Sequence, residues 1–271
     1  MKTRWLRFSL RTLLLLIMAL CVWLGIQVNA ARRQKEAVAV IEKVGATVIY
    51  DYQVLLPPAG ATWLRRVVDH QQLPPGPTWL RQQIGDDYFR TVVSVFINLR
   101  LDRQKAALDE LAKLPHVREF VFVDGGTGIG VSDKDFTALS EFRQLEWLTL
   151  DVARVKGTIL GSLPNPGRLK LLSLNGTDAD DATMKHIEKM TSLERLFLHG
   201  SHVTDAGLVH LRDLTNLEHL GLNDTNITDA GLQHLYGLKM LTLLGLRGTQ
   251  VSEAGISALR AALPNAKIAW P

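Results

Sequence analysis

Three histidines, His186, His210 and His234, recur every 24 residues, and such a column of imidazoles invites a metal-binding reading. Each stands just before the inner apolar residue of a helical segment, and neighbouring helices pack roughly 8 to 10 Å apart. Two such rings do not converge on one ion at the roughly 2.0 to 2.1 Å that zinc requires. The column therefore reads as repeat consensus. His199 and His202 straddle a turn with no third ligand. Asp124-Gly-Gly-Thr-Gly-Ile-Gly130 lies between a strand and a helix, where a phosphate loop belongs, but its spacing is not G-x-G-x-x-G and no Gly-Lys-Ser/Thr follows. It reads as a surface-loop insertion. Neither H-E-x-x-H nor G-x-S-x-G occurs, and the single cysteine, Cys21, sits in an apolar stretch. Asp205 and Asp229 recur at helix starts, where carboxylates belong for capping reasons. No catalytic residue, cofactor, metal or small-molecule substrate is expected.

The elements that carry these residues come from a phrase spoken three times: Leu193-Glu-Arg-Leu-Phe-Leu-His-Gly-Ser, Leu217-Glu-His-Leu-Gly-Leu-Asn-Asp-Thr and Leu241-Thr-Leu-Leu-Gly-Leu-Arg-Gly-Thr. In L-x-x-L-x-L the alternation at the fourth and sixth positions is that of a strand with one buried face. The following Thr204-Asp-Ala-Gly-Leu208 and Thr228-Asp-Ala-Gly-Leu232 begin with helix-capping residues and continue with leucines at helical spacing. Because each strand returns through a helix, successive strands lie parallel, which predicts an α/β fold, a right-handed β-α solenoid. Ordering 24 residues costs more conformational entropy than six or so buried aliphatic side chains return, so no unit folds alone. Gly176, Gly200 and Gly248, with Asp224 in the remaining copy, mark the turns after the strands. Thr177, Ser201, Thr225 and Thr249 follow them as a hydroxyl column suited to bonding the turn backbone.

The pattern L-x-x-L-x-L-x-x-T-x-[VI]-T-D-A-G-L-x-x-L resembles a leucine-rich repeat of the 24-residue kind whose loop carries Thr, and it covers roughly residues 90 to 271. The resemblance implies a curved solenoid with its parallel sheet on the concave face, usually a binding surface for proteins. Together with Arg7-Phe-Ser-Leu-Arg-Thr-Leu-Leu14 it is similar to bacterial leucine-rich-repeat proteins described as internalin-like. The T-D-A-G-L units are also similar to those of ubiquitin-ligase substrate adaptors, but residues 32 to 90 do not resemble an F-box.

The array starts at Val92-x-x-Val95-x-Ile97, continues at Val117-x-x-Phe120-x-Phe122, and from Leu145 keeps step through Leu169, Leu193, Leu217 and Leu241. Lys267-Ile-Ala-Trp270 supplies the last of eight strands. Upstream, Arg4, Arg7 and Arg11 precede an uncharged run from Thr12 to Ala31 that is long enough to cross a bilayer as a helix. The expected organisation is a basic cytoplasmic tail over 1–11, a transmembrane signal anchor over 12–31, an N-terminal cap with a Pro-rich segment over 32–90, and the repeats over 91–271. The positive-inside rule puts the C-terminal domain outside the cytoplasm; the alternative is secretion after cleavage at Val28-Asn-Ala30. Arg32 to Val44 reads as a helix with Ala37, Ile41 and Val44 on one face, and Thr47-Val-Ile-Tyr-Asp-Tyr52 as a strand. Between them and the array, Thr62-Trp-Leu-Arg-Arg-Val67 and Thr78-Trp-Leu-Arg-Gln-Gln83 read as two short capped helices among prolines.

Seven of the 31 Lys and Arg fall in residues 1 to 35, which hold no acid, so the pI near 9.2 belongs to the N-terminus. The rest of the chain is mildly acidic and lacks the basic stripe that nucleic acid needs. The candidate site is the outward face of the sheet, with Trp147, Arg195, Phe197, His199, His219 and Arg247 as binding residues, because aromatic and Arg side chains beside small ones make interface hot spots. Gly221 and Gly245 are expected to leave part of that face bare. The function expected is membrane-anchored binding of an unidentified protein partner, with an envelope glycan or lipid binder, a structural envelope component and a cytosolic adaptor as alternatives.

Overall fold

The computed structural model of the chain describes residues 10–51, 54–55, 67–68, 91–99, 104–124 and 130–271. The prolines between 57 and 77, both tryptophans of the Trp-Leu-Arg duplication and the glycine run over 125–129 lie outside them.

Helix α1 runs unbroken from Leu10 to Lys43. The apolar run and the amphipathic segment after it, read above as two elements, are one helix, since no proline or glycine separates Ala31 from Lys43. Residues 14–30 are exposed throughout, whereas Ala37, Val38, Ile41 and Val44 are buried in the core. Among the described residues α1 is the one helix long and apolar enough to cross a membrane. Gly45, at φ 84°, ends it, and β1 (Thr47–Tyr50) turns back along it. A two-stranded antiparallel ladder of β2 (Val54–Leu55) and β3 (Val67–Val68) follows. Val67 was expected to close a short helix; the β-branched Val67-Val68 pair instead favours the extended backbone of a strand.

Among the described residues the main sheet has nine strands. β1 pairs antiparallel with β4 (Val92–Leu99). From β4 onward the neighbours are parallel and in sequence order: β5 (Glu119–Asp124), β6 (Trp147–Asp151), β7 (Leu171–Ser173), β8 (Arg195–Phe197), β9 (His219–Gly221), β10 (Leu243–Gly245) and β11 (Lys267–Ala269). These are the eight array strands that the repeat spacing predicts. Their inward residues, among them Leu148, Leu172, Leu196, Leu220 and Leu244, are at most 1 % exposed. In the wider repeat after β5, Phe120, Phe122, Phe136 and Phe142 fill the core, with ring centroids 5.1 Å apart for Phe122 and Phe136 and 6.0 Å for Phe120 and Phe142.

Helices α2 (Gln104–Glu110), α3 (Asp181–Ile187), α4 (Asp205–Leu208), α5 (Asp229–Leu232) and α6 (Glu253–Ala262) lie on the other side. Two periods, at Asp133–Glu141 and Thr158–Ser162, return through 3₁₀ turns and not the expected α-helix. In the second, Gly157 at φ 77° opens the turn and Pro164 and Pro166 crowd its exit. At the strand exits Gly176, Gly200, Gly248 and Asp224 all have positive φ, 57° for Asp224. The hydroxyls of Thr177, Ser201, Thr225 and Thr249 each donate to the carbonyl three residues back, at 2.6 to 2.8 Å.

The T-D-A-G-L phrase couples one repeat to the next. The Asp181 carboxylate accepts from the backbone N–H and the hydroxyl of Thr204 at 2.8 and 2.7 Å. Asp205 does the same for Thr228 at 2.8 and 2.6 Å, and Asp229 for Ser252. Thr204 Oγ1 and Thr228 Oγ1 in turn accept from the N–H groups that open α4 and α5. A side chain at Gly207 or Gly231 would strike the carboxylate of the preceding repeat, which accounts for the glycine of the phrase.

Candidate functional site

The outward face is organised in rows that follow the strand register. Trp147, Leu171, Arg195, His219, Leu243 and Lys267 stand opposite one another on β6 to β11, so each is roughly 4.7 to 4.9 Å from its neighbours along the row. Thr149, Ser173, Phe197, Gly221, Gly245 and Ala269 form the second row in the same register.

At the end of β6 and just past β7 to β10, Asp151, Asn175, His199, Asn223 and Arg247 form a hydrogen-bonded ladder. Asp151 Oδ1 accepts from the Asn175 N–H at 2.8 Å, Asn175 Oδ1 from His199 at 3.0 Å, His199 Nδ1 from Asn223 at 3.1 Å and Asn223 Oδ1 from Arg247 at 2.9 Å. A backbone N–H can only donate, so His199 Nδ1 must be unprotonated and the neutral ring carries its proton on Nε2. Burial pushes His199 below the usual imidazole range, against the opposing pull of Asp224 and Asp151. His199 thus holds the array together as well as lining the face.

The glycines of the second row are not bare, contrary to expectation. A Cβ at Gly221 would lie 2.3 Å from His199 Cε1 and 3.0 Å from Phe197 Cδ1, and one at Gly245 would lie 2.8 Å from Asn223 Oδ1. The ladder side chain of each preceding repeat folds over the glycine. The Phe197 and His199 rings stand 6.0 Å apart at 32°.

Arg195 and Phe197 on β8, His199 just past it and His219 on β9 therefore come together. His219 is held below its usual range by burial first and by the Arg195 guanidinium second, with Glu218 opposing. Trp147 is two strands away across Leu171, and Arg247 is exposed at the far end of the ladder. Outside α1, Met240 and Leu243 are the exposed large apolar side chains among the described residues, at 56 % and 38 %. Sequence reasoning placed Leu243 outward but gave Met240 no role, because it occupies a turn position that the repeat leaves variable.

In the helix column, His210 Nδ1 lies 2.7 Å from Glu188 Oε2 and the His186 ring covers Gly161. Among the described residues no three His, Cys, Asp or Glu side chains are grouped so as to hold a metal ion.

The parallel register, the repeated turn and the two inter-repeat ladders define a leucine-rich-repeat solenoid. Solved structures similar to it include internalin F of Listeria monocytogenes (20 % identity, 59 % of this chain and 43 % of that one, TM-score 0.45) and internalin C2 of the same organism (18 %, 68 % and 82 %, 0.48). A leucine-rich-repeat protein of Leptospira interrogans is a third (20 %, 59 % and 38 %, 0.43). The chain spans less than half the length of the first and third of these. No protein-family model and no curated protein matches the sequence.

Proposed function

We propose that the chain is a single-pass, membrane-anchored repeat module that binds a protein partner outside the cytoplasm through the open face of its sheet. The observation that carries this reading is the cluster Arg195, Phe197 and His219, with Trp147 and Leu171 in register beside it, all half-buried on a continuous sheet. Strand-borne side chains lose little further freedom on binding, and half-buried aromatic and Arg groups are the kind that carry interface energy. Anchoring is supported by the exposed apolar length of α1, which continues through Val28-Asn-Ala30 into the domain without a break. The basic residues before the apolar run, outnumbering those after it, support an outward domain.

Proximity labelling in cells, from a tag after Pro271 and with chemistry restricted to one compartment, tests both halves of the reading. The expected result is a reproducible set of exported proteins that is lost in a Trp147→Ala, Arg195→Ala, Phe197→Ala variant that keeps its circular dichroism. Labelling confined to cytoplasmic proteins overturns the orientation, and a set unchanged by the triple variant overturns the face.

A further inference from the structure

The chain direction decides which rim of the solenoid the apolar helix leaves from. α1 and β1 are joined by three residues, 44–46, and bury side chains in the same core, so they run in opposite senses. β1 is antiparallel to β4, and β4 to β11 are parallel. Every strand of the array therefore runs in the sense of α1, and the apolar segment departs on the side where the strands begin. That rim is made of the helix-to-strand turns. From Ala37, the first residue of α1 in the core, back to Ala31 is only about 9 Å of helix, and no flexible segment intervenes.

We infer that this rim lies on the surface of an anionic bilayer, the one in which α1 is anchored; the inference rests on the anchor reading above. Two further observations agree with it. From residue 141 onward the rim bears seven bases, among them Arg168, Lys170, Lys189, Arg212, Lys239 and Lys267, against six acids, Glu141, Glu146, Glu188, Glu194, Asp213 and Glu218, so it is close to neutral. One of its acids, Glu146, is within 3.7 Å of Lys170 and 3.9 Å of Arg168. The opposite rim bears Asp178, Asp180, Asp181, Asp205, Asp224 and Asp229, and there acids outnumber bases. With the acidic rim turned away and the near-neutral, lysine-bearing rim turned to the lipid, the chain has the orientation that an anionic surface favours. Secondly, exposed Met240 lies on this rim next to Lys239, and exposed Leu243 opens β10 beside it, opposite Lys267; apolar side chains near lysines insert at the headgroup boundary.

Repeats stack across the strands, so the array lies along the membrane, reaching about 35 Å over it at 4.7 to 4.9 Å per strand. The sheet face then opens sideways, and a partner held by Arg195 and Phe197 approaches in the plane of the membrane.

The test uses the full chain with Cys21→Ala, reconstituted in phosphatidylcholine vesicles with or without phosphatidylglycerol. A fluorophore is placed at Arg33→Cys beside the span, at Met240→Cys on the rim where the strands begin, or at Gln250→Cys on the acidic rim of the same repeat, and headgroup-nitroxide lipid is the quencher. Expected is quenching at 33 and 240 but not at 250. The phosphatidylglycerol-dependent part at 240 should disappear in a Lys239→Gln, Lys267→Gln variant and at high salt. Quenching at 33 with 240 no more quenched than 250 overturns the rim assignment alone. The absence of quenching at 33 removes the anchor and the rim assignment together.

Discussion

His199 has two roles that bear on pH. Its Nδ1 accepts the Asn223 N–H that closes one rung of the ladder, and protonation would set two donors against each other. The folded protein therefore favours the neutral ring, in line with its lowered pKa. A histidine lowered on folding contributes stability above its ordinary value near 6.5, and that contribution is lost as pH falls through the lower folded value. His219 is shifted in the same direction. Asp229, lowered by its hydrogen bonds from Ser252, acts in the more acid carboxylate window. Asn fills the equivalent rung at 175 and 223, so His199→Asn should keep the ladder and lose its titration. Thermal unfolding followed between about pH 7 and 5 should show a shallower fall in midpoint for this variant. An unchanged slope would mean the rung is not acid-sensitive.

The unit of stacking is the carboxylate that reaches from one T-D-A-G-L element to the next. Asp205→Ala removes two charge-assisted bonds to Thr228 and leaves a part-buried N–H without its acceptor, a loss of about 1.5 to 3 kcal/mol. In a double-mutant cycle with Thr228→Val the effects should be clearly non-additive, as for any directly bonded pair; simple additivity in chemical denaturation would deny the latch. This element also marks the limit of what could be read from residues alone. The strands, the Thr and Ser column and the left-handed Asp224 were legible because strand alternation and turn chemistry are local. Asp205 looked like a helix-start residue, and its bonds to a partner 23 residues on needed the register between units. Gly221 looked bare for the same reason, since the ring that covers it belongs to the previous repeat. The candidate row on β6 to β9 was legible as outward positions. The gathering of Arg195, Phe197, His199 and His219 apart from Trp147 and Arg247 was not, because repeat spacing gives rows but not how far each side chain leans.

At the scale of the molecule each repeat touches only its neighbours, so the two ends govern how unfolding begins. The first array strand is covered by antiparallel β1 and by the buried part of α1. The last is backed by α6, at 10 residues longer than α3, α4 or α5, and by Trp270, whose Nε1–H donates to the Val251 carbonyl at 3.1 Å while its ring packs on the core. Trp270→Ala should cost about 1 to 3 kcal/mol, less than a fully buried Trp, and the loss should fall on one end. Native-state hydrogen exchange is the direct measurement: amides of β10 and β11 should open more readily while those of β4 to β6 keep their protection. Uniform loss along the sheet would mean that the eight strands open as one cooperative unit. In that case a partner or a bilayer touching either rim would stabilise the whole array and not only the repeats it meets.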